Sequence, residues 1–312
     1  TAGDALTIGN YNTALGFDAL STSVDGDYNT AIGYLALRLY EDGDGDGFNT
    51  AVGANAMGSA TTAQFNTALG YSAAGGATMT GDYNIAIGYQ TGNAMTSGAQ
   101  NTLIGGVAGD ALTTGEQNTA IGYAALSGET AGDRNVAIGT YALFTQNNTS
   151  NADVYNVAIG YQAGTLVSTG ANNVLVGGQV GEALTDGANN VVIGRAALGS
   201  AQSDSNNVAV GYTALGTQNG AGTSYNTAVG HAAGTGVTTG AQNTIVGGLA
   251  ADAITTGADN VVMGYQAMTV ANSTESRNVA IGAFALDSLD NGSTTNTYNT
   301  AVGYGSAAAI NT

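Results

Sequence analysis

Acidic residues alternate with glycines in the segment EDGDGDG, which carries the sharpest chemical signal in the sequence. It places Asp42, Asp44 and Asp46 at every second position. Glycine permits a tight bend, and carboxylates at positions one, three and five of such a bend can converge on a calcium ion. The bidentate acid expected at position twelve is missing, because Gly53 stands there. The segment therefore predicts either a Ca²⁺ site at the three aspartates or an acidic, solvated loop.

Groups that could carry out catalysis are scarce. The chain has one histidine, His231, no cysteine and no lysine. His231 stands where other repeats carry tyrosine, which favours a surface side chain over a catalytic base. The other carboxylates are scattered in loops, where solvation explains them. We therefore expect a protein that is not an enzyme and that needs no cofactor beyond the predicted calcium.

The composition excludes several classes of partner. There are 22 acidic residues against four arginines, and the net charge is −18. Nucleic acids and anionic membranes are bound by basic patches, so neither is an expected partner. No apolar run approaches the roughly 20 residues needed to cross a bilayer, so no membrane insertion is expected. With 50 glycines and no proline or tryptophan, the chain is typical of a repeat protein rather than a globular one.

One short motif recurs along the whole chain: asparagine, then Thr, Val or Ile, then two aliphatic residues, then glycine. We call each copy a rung and count positions from its asparagine, which is position zero. The seventeen asparagines are Asn12, Asn29, Asn49, Asn66, Asn84, Asn101, Asn118, Asn135, Asn156, Asn173, Asn190, Asn207, Asn226, Asn243, Asn260, Asn278 and Asn299. The base spacing is 17 residues, and every departure from it is an insertion. Such a fixed short period is the signature of a solenoid.

Two features give the rungs a longer period of four from Asn84 onward, and before that the pattern contains two extra rungs, at Asn49 and Asn66. Position five is a second glycine at Gly106, Gly178 and Gly248, and the longest insertions follow Asn29, Asn135, Asn207 and Asn278. Because these insertions are polar and regularly spaced, we expect them to project from one edge as binding loops.

The motif is too short and too rich in glycine for a helix, whereas alternation with a period of two indicates a β-strand. We expect the aliphatic residues at positions one and three to face the core. Position two, mostly alanine, should then form an outer stripe through which copies associate, most simply as a threefold bundle. Because Leu103, Leu175 and Ile245 replace this alanine in the double-glycine rungs, positions two and five should share space.

The remaining fixed positions have structural interpretations. The invariant asparagine predicts a ladder of side-chain amides that bond from rung to rung. The invariant glycine at position four predicts a turn with positive φ or close backbone packing. Tyrosines at position five should stack on one another rather than bind sugars. These tyrosines are Tyr34, Tyr71, Tyr89, Tyr123, Tyr161, Tyr212, Tyr265 and Tyr304.

Together these patterns predict an all-β protein, a parallel β-solenoid of about 17–18 rungs that forms a single domain over residues 1–312. Neither end has an obvious polar cap, which solenoids normally need. We therefore expect either that the array continues beyond this sequence or that its ends stack on another subunit.

The segments NTAIGYAAL from Asn118, NTALGFDAL from Asn12 and NVAVGYTAL from Asn207 resemble two known groups of repeats. One is the head of trimeric autotransporter adhesins, a left-handed parallel β-roll with shorter repeats. The other is the NTAxGYxAL array of phage tail fibres and bacterial surface fibres. The resemblance spans essentially the whole chain, and it implies a homotrimeric fibre outside the cell, on a cell surface or on a virion.

Three functions follow as hypotheses. The first is a structural or adhesive fibre that self-associates and presents loops to a cell-surface glycan or protein receptor. The second is the subunit of an extracellular filament that grows head to tail, since open strand edges template stacking. The third, ice binding, is disfavoured because only nine rungs have Thr at position one, no Thr-x-Thr recurs, and that face is expected to point inward.

Overall fold

The computed structural model describes residues 1–41, 45–220, 222–269, 274–290 and 296–311. These residues form an all-β parallel solenoid of about 16 turns with a spacing of about 17 residues, and they contain no helix. The predicted fold class is confirmed. The chain divides into two compact units, Thr1–Tyr155 and Asn156–Thr312, each of which is described by itself. The assignment of all 312 residues to one domain stays a prediction.

The first unit contains eight parallel strands, each paired in register with the next. Every strand covers positions one to three of its rung. They are β1 (Thr13–Leu15), β2 (Thr30–Ile32), β3 (Thr50–Val52), β4 (Thr67–Leu69), β5 (Ile85–Ile87), β6 (Thr102–Ile104), β7 (Thr119–Ile121) and β8 (Val136–Ile138).

The second unit continues the same pattern, with parallel pairing from β9 through β16 to β18. Its strands are β9 (Val157–Ile159), β10 (Val174–Val176), β11 (Val191–Ile193), β12 (Val208–Val210), β13 (Thr227–Val229), β14 (Thr244–Val246), β15 (Val261–Met263), β16 (Val279–Ile281), β17 (Ser288–Asp290), β18 (Thr300–Val302) and β19 (Ala309–Asn311). Strands β17 and β19 pair separately from the others.

The glycine at position four ends each strand, as predicted. Gly122 has a φ of 138°, a conformation that other residues rarely adopt. A Cβ at Gly122 would lie only 2.6 Å from the backbone carbonyl carbon of Gly139 in the next rung. Both the conformation and the close approach of the two backbones therefore require glycine.

Each rung also places residues other than glycine in the left-handed region. In the rung of Asn118 these are Gln117, Ala124 and Leu126, with φ values of 58°, 52° and 55°. Such a conformation costs roughly 1–2 kcal/mol per residue. The repetition of these bends in successive rungs shows that they are part of the turn geometry, and nothing in the composition of these positions predicted them.

The core is lined by position two, by positions seven and eight, and by position eleven. Ala120 is fully buried at position two, as are Ala125 and Leu126 at positions seven and eight, and Leu112 at position eleven of the preceding rung. Positions one and three are half-buried or exposed in every strand from β1 to β16. The prediction that they face the core, with the alanines forming an outer stripe, is therefore wrong. In twelve of the rungs the residue on the inner side of the strand is alanine, packed in an interior that also holds leucines such as Leu112 and Leu126.

Position two carries a larger residue at Leu103, and glycines elsewhere in the interior make room for it. A Cβ at Gly92 or Gly109 would lie 2.9 Å or 3.0 Å from a methyl carbon of Leu103, so these two glycines make the room that Leu103 occupies. The prediction that positions two and five share space is wrong, because Leu103 is fully buried whereas Gly106 is partly exposed.

The predicted asparagine ladder is present and buried. The Asn118 side chain donates from Nδ2 to Asn101 Oδ1 at 3.2 Å and to the Gly132 carbonyl at 2.9 Å. Its Oδ1 accepts from the backbone N–H of Asn135 at 2.9 Å and from Asn135 Nδ2 at 3.1 Å. Each amide thus joins two neighbouring rungs and closes its own rung, which leaves no buried polar atom of this side chain unsatisfied.

Candidate functional surfaces

Of the three aspartates of the predicted calcium loop, only Asp46 lies among the described residues. Asp46 is exposed and pairs with Asp27 in an isolated parallel bridge, while Asp42 and Asp44 lie outside the described residues. Among the residues that the structure describes, no group of three or more His, Cys, Asp or Glu side chains could hold a metal ion. The calcium site stays a prediction. Calorimetric titration of calcium into the wild type and into Asp44→Ala, which should lose the binding, tests it.

The outer side of the strands is aliphatic. We define the aliphatic face as positions one and three of β1–β16 and β18, which carry only Thr, Val, Ile, Leu and Met. Relative exposure reaches 66% at Leu15, 46% at Leu69 and 40% at Ile193. The face contains no charged residue, although the chain carries 22 acids. Within each unit, exposed and uncharged side chains of this kind on adjacent paired strands mark a contact site.

This orientation also changes the argument about ice binding. One reason against it was that the threonines at position one point inward, and that reason is wrong. The two other reasons stand, because position one carries Thr in only nine rungs and position three is aliphatic rather than Thr in all of them. An array of large aliphatic side chains fits a protein partner better.

A ladder of stacked aromatic rings runs along position minus one of the first unit. Its members are Tyr11, Tyr28, Phe48, Phe65 and Tyr83, with successive ring centroids 4.8–5.1 Å apart and nearly parallel planes. Each inner ring is covered on both faces by its neighbours. Desolvation raises the pKa of Tyr28, and the nearby Tyr11 and the acids Asp46 and Asp27 add to that rise. Sequence reasoning missed this ladder, although an aromatic residue precedes the asparagine in each of the first five rungs.

A second, interrupted row of rings occupies position five. Tyr71 stacks on Tyr89 with centroids 5.5 Å apart, and Tyr212 stacks on His231 at 5.4 Å. His231 is thus an exposed side chain in the aromatic row, as its position in the repeat suggested. The row is interrupted wherever position five is glycine.

The four longest insertions share one anchoring device. Each ends in an isolated parallel bridge to the preceding rung, and these bridges are Asp27 with Asp46, Asp133 with Asp153, Ser205 with Thr223, and Ser276 with Asn296. The end of each insertion is therefore held at the same place relative to the next asparagine. That the insertions project from one edge as binding loops stays a prediction.

A buried carboxylate fixes the insertion of residues 145–153. Glu129 is fully buried, and its Oε1 accepts the backbone N–H groups of Thr130, Ala131, Gly132 and Asn148 at 2.8–3.1 Å. Its Oε2 accepts the side-chain amides of Gln146 at 2.8 Å and Asn148 at 3.0 Å. The interpretation of the carboxylates as solvated loop residues is wrong for Glu129.

The insertion in the second unit uses the same principle. Asp204 is fully buried and accepts the N–H of Gly220 at 2.9 Å, the hydroxyl of Ser224 at 3.0 Å and the amide of Gln218 at 3.1 Å. A carboxyl group that accepts several hydrogen bonds can be buried at low cost. Such anchors hold the bases of these two insertions in place.

No protein family matches this chain, and no curated protein does. Among the described residues, no helix is both long and apolar enough to cross a membrane.

Proposed function

We propose that this protein is a non-enzymatic structural component of an extracellular or virion fibre, in which copies of the solenoid associate through the aliphatic face. The observation that carries the proposal is the outward orientation of positions one and three. The predicted self-association is thereby moved from the alanine stripe, which is buried, to the opposite side of the same strands.

A second copy of the chain is the partner that fits this face best. Its strands repeat with the same spacing of about 4.8 Å, so side chains of two copies can interdigitate rung by rung. The net charge of −18 makes two copies repel each other over most of their surface. The aliphatic face is free of charge, so copies approach each other there with the least repulsion. The assembly that we expect is a homotrimer.

The adhesive part of the proposal concerns the anchored insertions. Loops held by buried carboxylates, as at Glu129 and Asp204, present polar tips at regular intervals to a cell-surface glycan or protein receptor. The acidic charge favours receptors without strongly acidic surfaces.

Sedimentation velocity of the full chain at micromolar concentration tests the self-association. We expect a homo-oligomer for the wild type and a monomer for the double variant Ile121→Asp/Ile138→Asp, which charges two paired outer positions of β7 and β8. The matched control, Gln100→Asp/Gln117→Asp, alters two exposed residues outside the face and should remain oligomeric.

A monomeric wild type, or an oligomer that persists in the double variant, would contradict the proposal. Electron microscopy of the same sample separates the two arrangements of copies. Particles of one length indicate lateral association, and fibres of growing length indicate the head-to-tail filament.

A further inference from the structure

The glycines at position five leave three notches in the aromatic row, at Gly106, Gly178 and Gly248. Neither backbone conformation nor packing requires glycine at these places. Their φ angles lie outside the left-handed region. A Cβ at Gly178 would meet no atom within 4 Å. At Gly106 it would meet only the Tyr123 ring, at 3.4 Å, and at Gly248 it would meet the Tyr265 ring at 3.7 Å and the His231 carbonyl oxygen at 4.0 Å. A side chain would fit at each notch, so the effect of the glycine is to leave the space open.

Each notch is flanked by a π system on both sides. The flanking pairs are Tyr89 and Tyr123, Tyr161 and Arg195, and His231 and Tyr265. The tyrosines Tyr89, Tyr123, Tyr161 and Tyr265 are 51–57% exposed, so the walls of the notches are accessible to a ligand.

The notch at Gly248 shows how these walls are supported. His231 stacks on Tyr212 at 5.4 Å on the side away from the notch, and Tyr265 contacts Phe284 edge-on at 5.7 Å on its own far side. At the Gly178 notch, the guanidinium of Arg195 lies over the Tyr212 ring at 5.8 Å. The neighbouring rings hold the walls in position and leave the inner sides of the notch without a ring partner.

Apart from the glycines, position five lacks an aromatic residue at Ala54, Thr140, Arg195 and Ala283. The rungs of Thr140 and Ala283 do not have an open notch. At Ala283 the ring of the next residue, Phe284, contacts both Tyr265 and Tyr304 at 5.7 Å. At Thr140 the next residue is Tyr141, which contacts Tyr123. In the three double-glycine rungs the next residue is Val107, Gln179 or Leu249, so no ring takes the vacant place.

The dimensions admit one further ring. The walls of a notch are two rungs apart, about 9–10 Å along the axis. Rings in neighbouring rungs of this row stack with an offset, at centroid distances of 5.4–5.7 Å, so the space between the walls is that of one missing ring. A pyranose fits such a space, because its C–H faces pack on aromatic rings. Its hydroxyl groups meet polar groups at the rim, such as the Tyr hydroxyl, the His ring nitrogens and the Arg guanidinium. The net charge of −18 disfavours acidic sugars.

We propose that the notches at Gly106, Gly178 and Gly248 bind neutral pyranose rings of a surface polysaccharide. This inference deepens the adhesive part of the proposed function and rests on it for the choice of a polysaccharide. Within the second unit the Gly178 and Gly248 notches are four rungs apart, about 19 Å. One polysaccharide chain that reaches both notches would bind more tightly than either notch alone could bind it.

The test uses maltohexaose, cellohexaose and mannohexaose as probes, with the full chain as the protein. Because the chain has no tryptophan, its tyrosine fluorescence reports directly on the rings, and calorimetry gives the affinity. The variant Gly106→Tyr/Gly178→Tyr/Gly248→Tyr fills all three notches with the residue that other rungs carry. The matched control, Ala283→Tyr, adds the same side chain where Phe284 already completes the row.

We expect at least one hexasaccharide to bind the wild type and the control equally, and to bind the triple variant at least about tenfold more weakly. Binding of none of the three, unchanged binding by the triple variant, or equal binding of sialyllactose would overturn the proposal. Sedimentation of the same samples separates the two claims. A monomer that binds sugar contradicts only the self-association, and an oligomer that binds none contradicts only the notches.

Discussion

The two sides of each strand differ in a way that a simple rule of hydrophobicity does not predict. The inner side of β7 is the small Ala120, which is fully buried, while the outer side carries the larger Ile121, which is only half-buried. The inner side is limited by the width of the solenoid, since leucines of the opposite wall already fill it. On the outer side, the width of the solenoid does not limit the size of the side chains. Large apolar side chains there are better suited to a contact between copies than to exposure on an isolated chain.

The largest effect on folding should follow a change that breaks both constraints on the backbone at once. We expect Gly122→Val to destabilise the first unit by more than about 4 kcal/mol, because it adds a side chain at positive φ and against the Gly139 backbone. Urea unfolding followed by circular dichroism measures the effect. The control Gly178→Val, where a Cβ meets nothing within 4 Å, should change stability by less than about 0.5 kcal/mol.

A charge on the inner side should be almost as harmful, and the same charge on the outer side should not be. We expect Ala120→Asp to cost at least about 3 kcal/mol, because it buries an unpaired carboxylate. Ile121→Asp should leave the monomer folded and affect only its assembly. Urea unfolding at concentrations below the assembly threshold compares the two variants, and equal destabilisation by both would contradict the assignment of the two sides.

The asparagine ladder is buried as well, and its loss should cost less. Asn118→Ala removes four hydrogen bonds and leaves the Gly132 carbonyl and the Asn101 amide oxygen without this donor. We expect a destabilisation of about 2–4 kcal/mol by thermal unfolding. Gln117→Ala, at the exposed neighbouring position, should cost less than about 1 kcal/mol. Equal destabilisation by Asn118→Ala and Gln117→Ala would contradict a stabilising role for the hydrogen bonds of the ladder.

The smallest effect should be local to a loop. Glu129→Ala removes the acceptor that holds residues 145–153, and we expect a loss of about 1–3 kcal/mol that is confined to this insertion and the rung beneath it. Hydrogen–deuterium exchange should show faster exchange at Asn148 and at Gly132. The exposed Glu116, changed to Ala, is the control and should leave exchange in the insertion unchanged.

Much of this architecture could be predicted from the repeat. The strand positions, the ladder and the turn glycine each follow from a residue type that recurs once per rung. The orientation of the strand could not be predicted in this way, because alternation fixes which residues share a side and not which side is buried. That choice depends on the opposite wall of the rung, where residues such as Leu126 fill the interior.

The candidate sites were predictable to different degrees. The spacing of the insertions was visible in the sequence, but the burial of Glu129 depends on an insertion 17 residues later in the chain. The notch at Gly248 could be read as a missing tyrosine, whereas the support of its walls by Tyr212 and Phe284 needed the structure.

Cysteine labelling tests the central claim most directly, because the chain has no cysteine of its own. We expect Ala120→Cys to resist a maleimide reagent at every protein concentration in the folded state. Ile121→Cys should react quickly in dilute solution and become protected as the concentration rises and copies associate. Fast labelling of Ala120→Cys together with constant protection of Ile121→Cys would contradict the account.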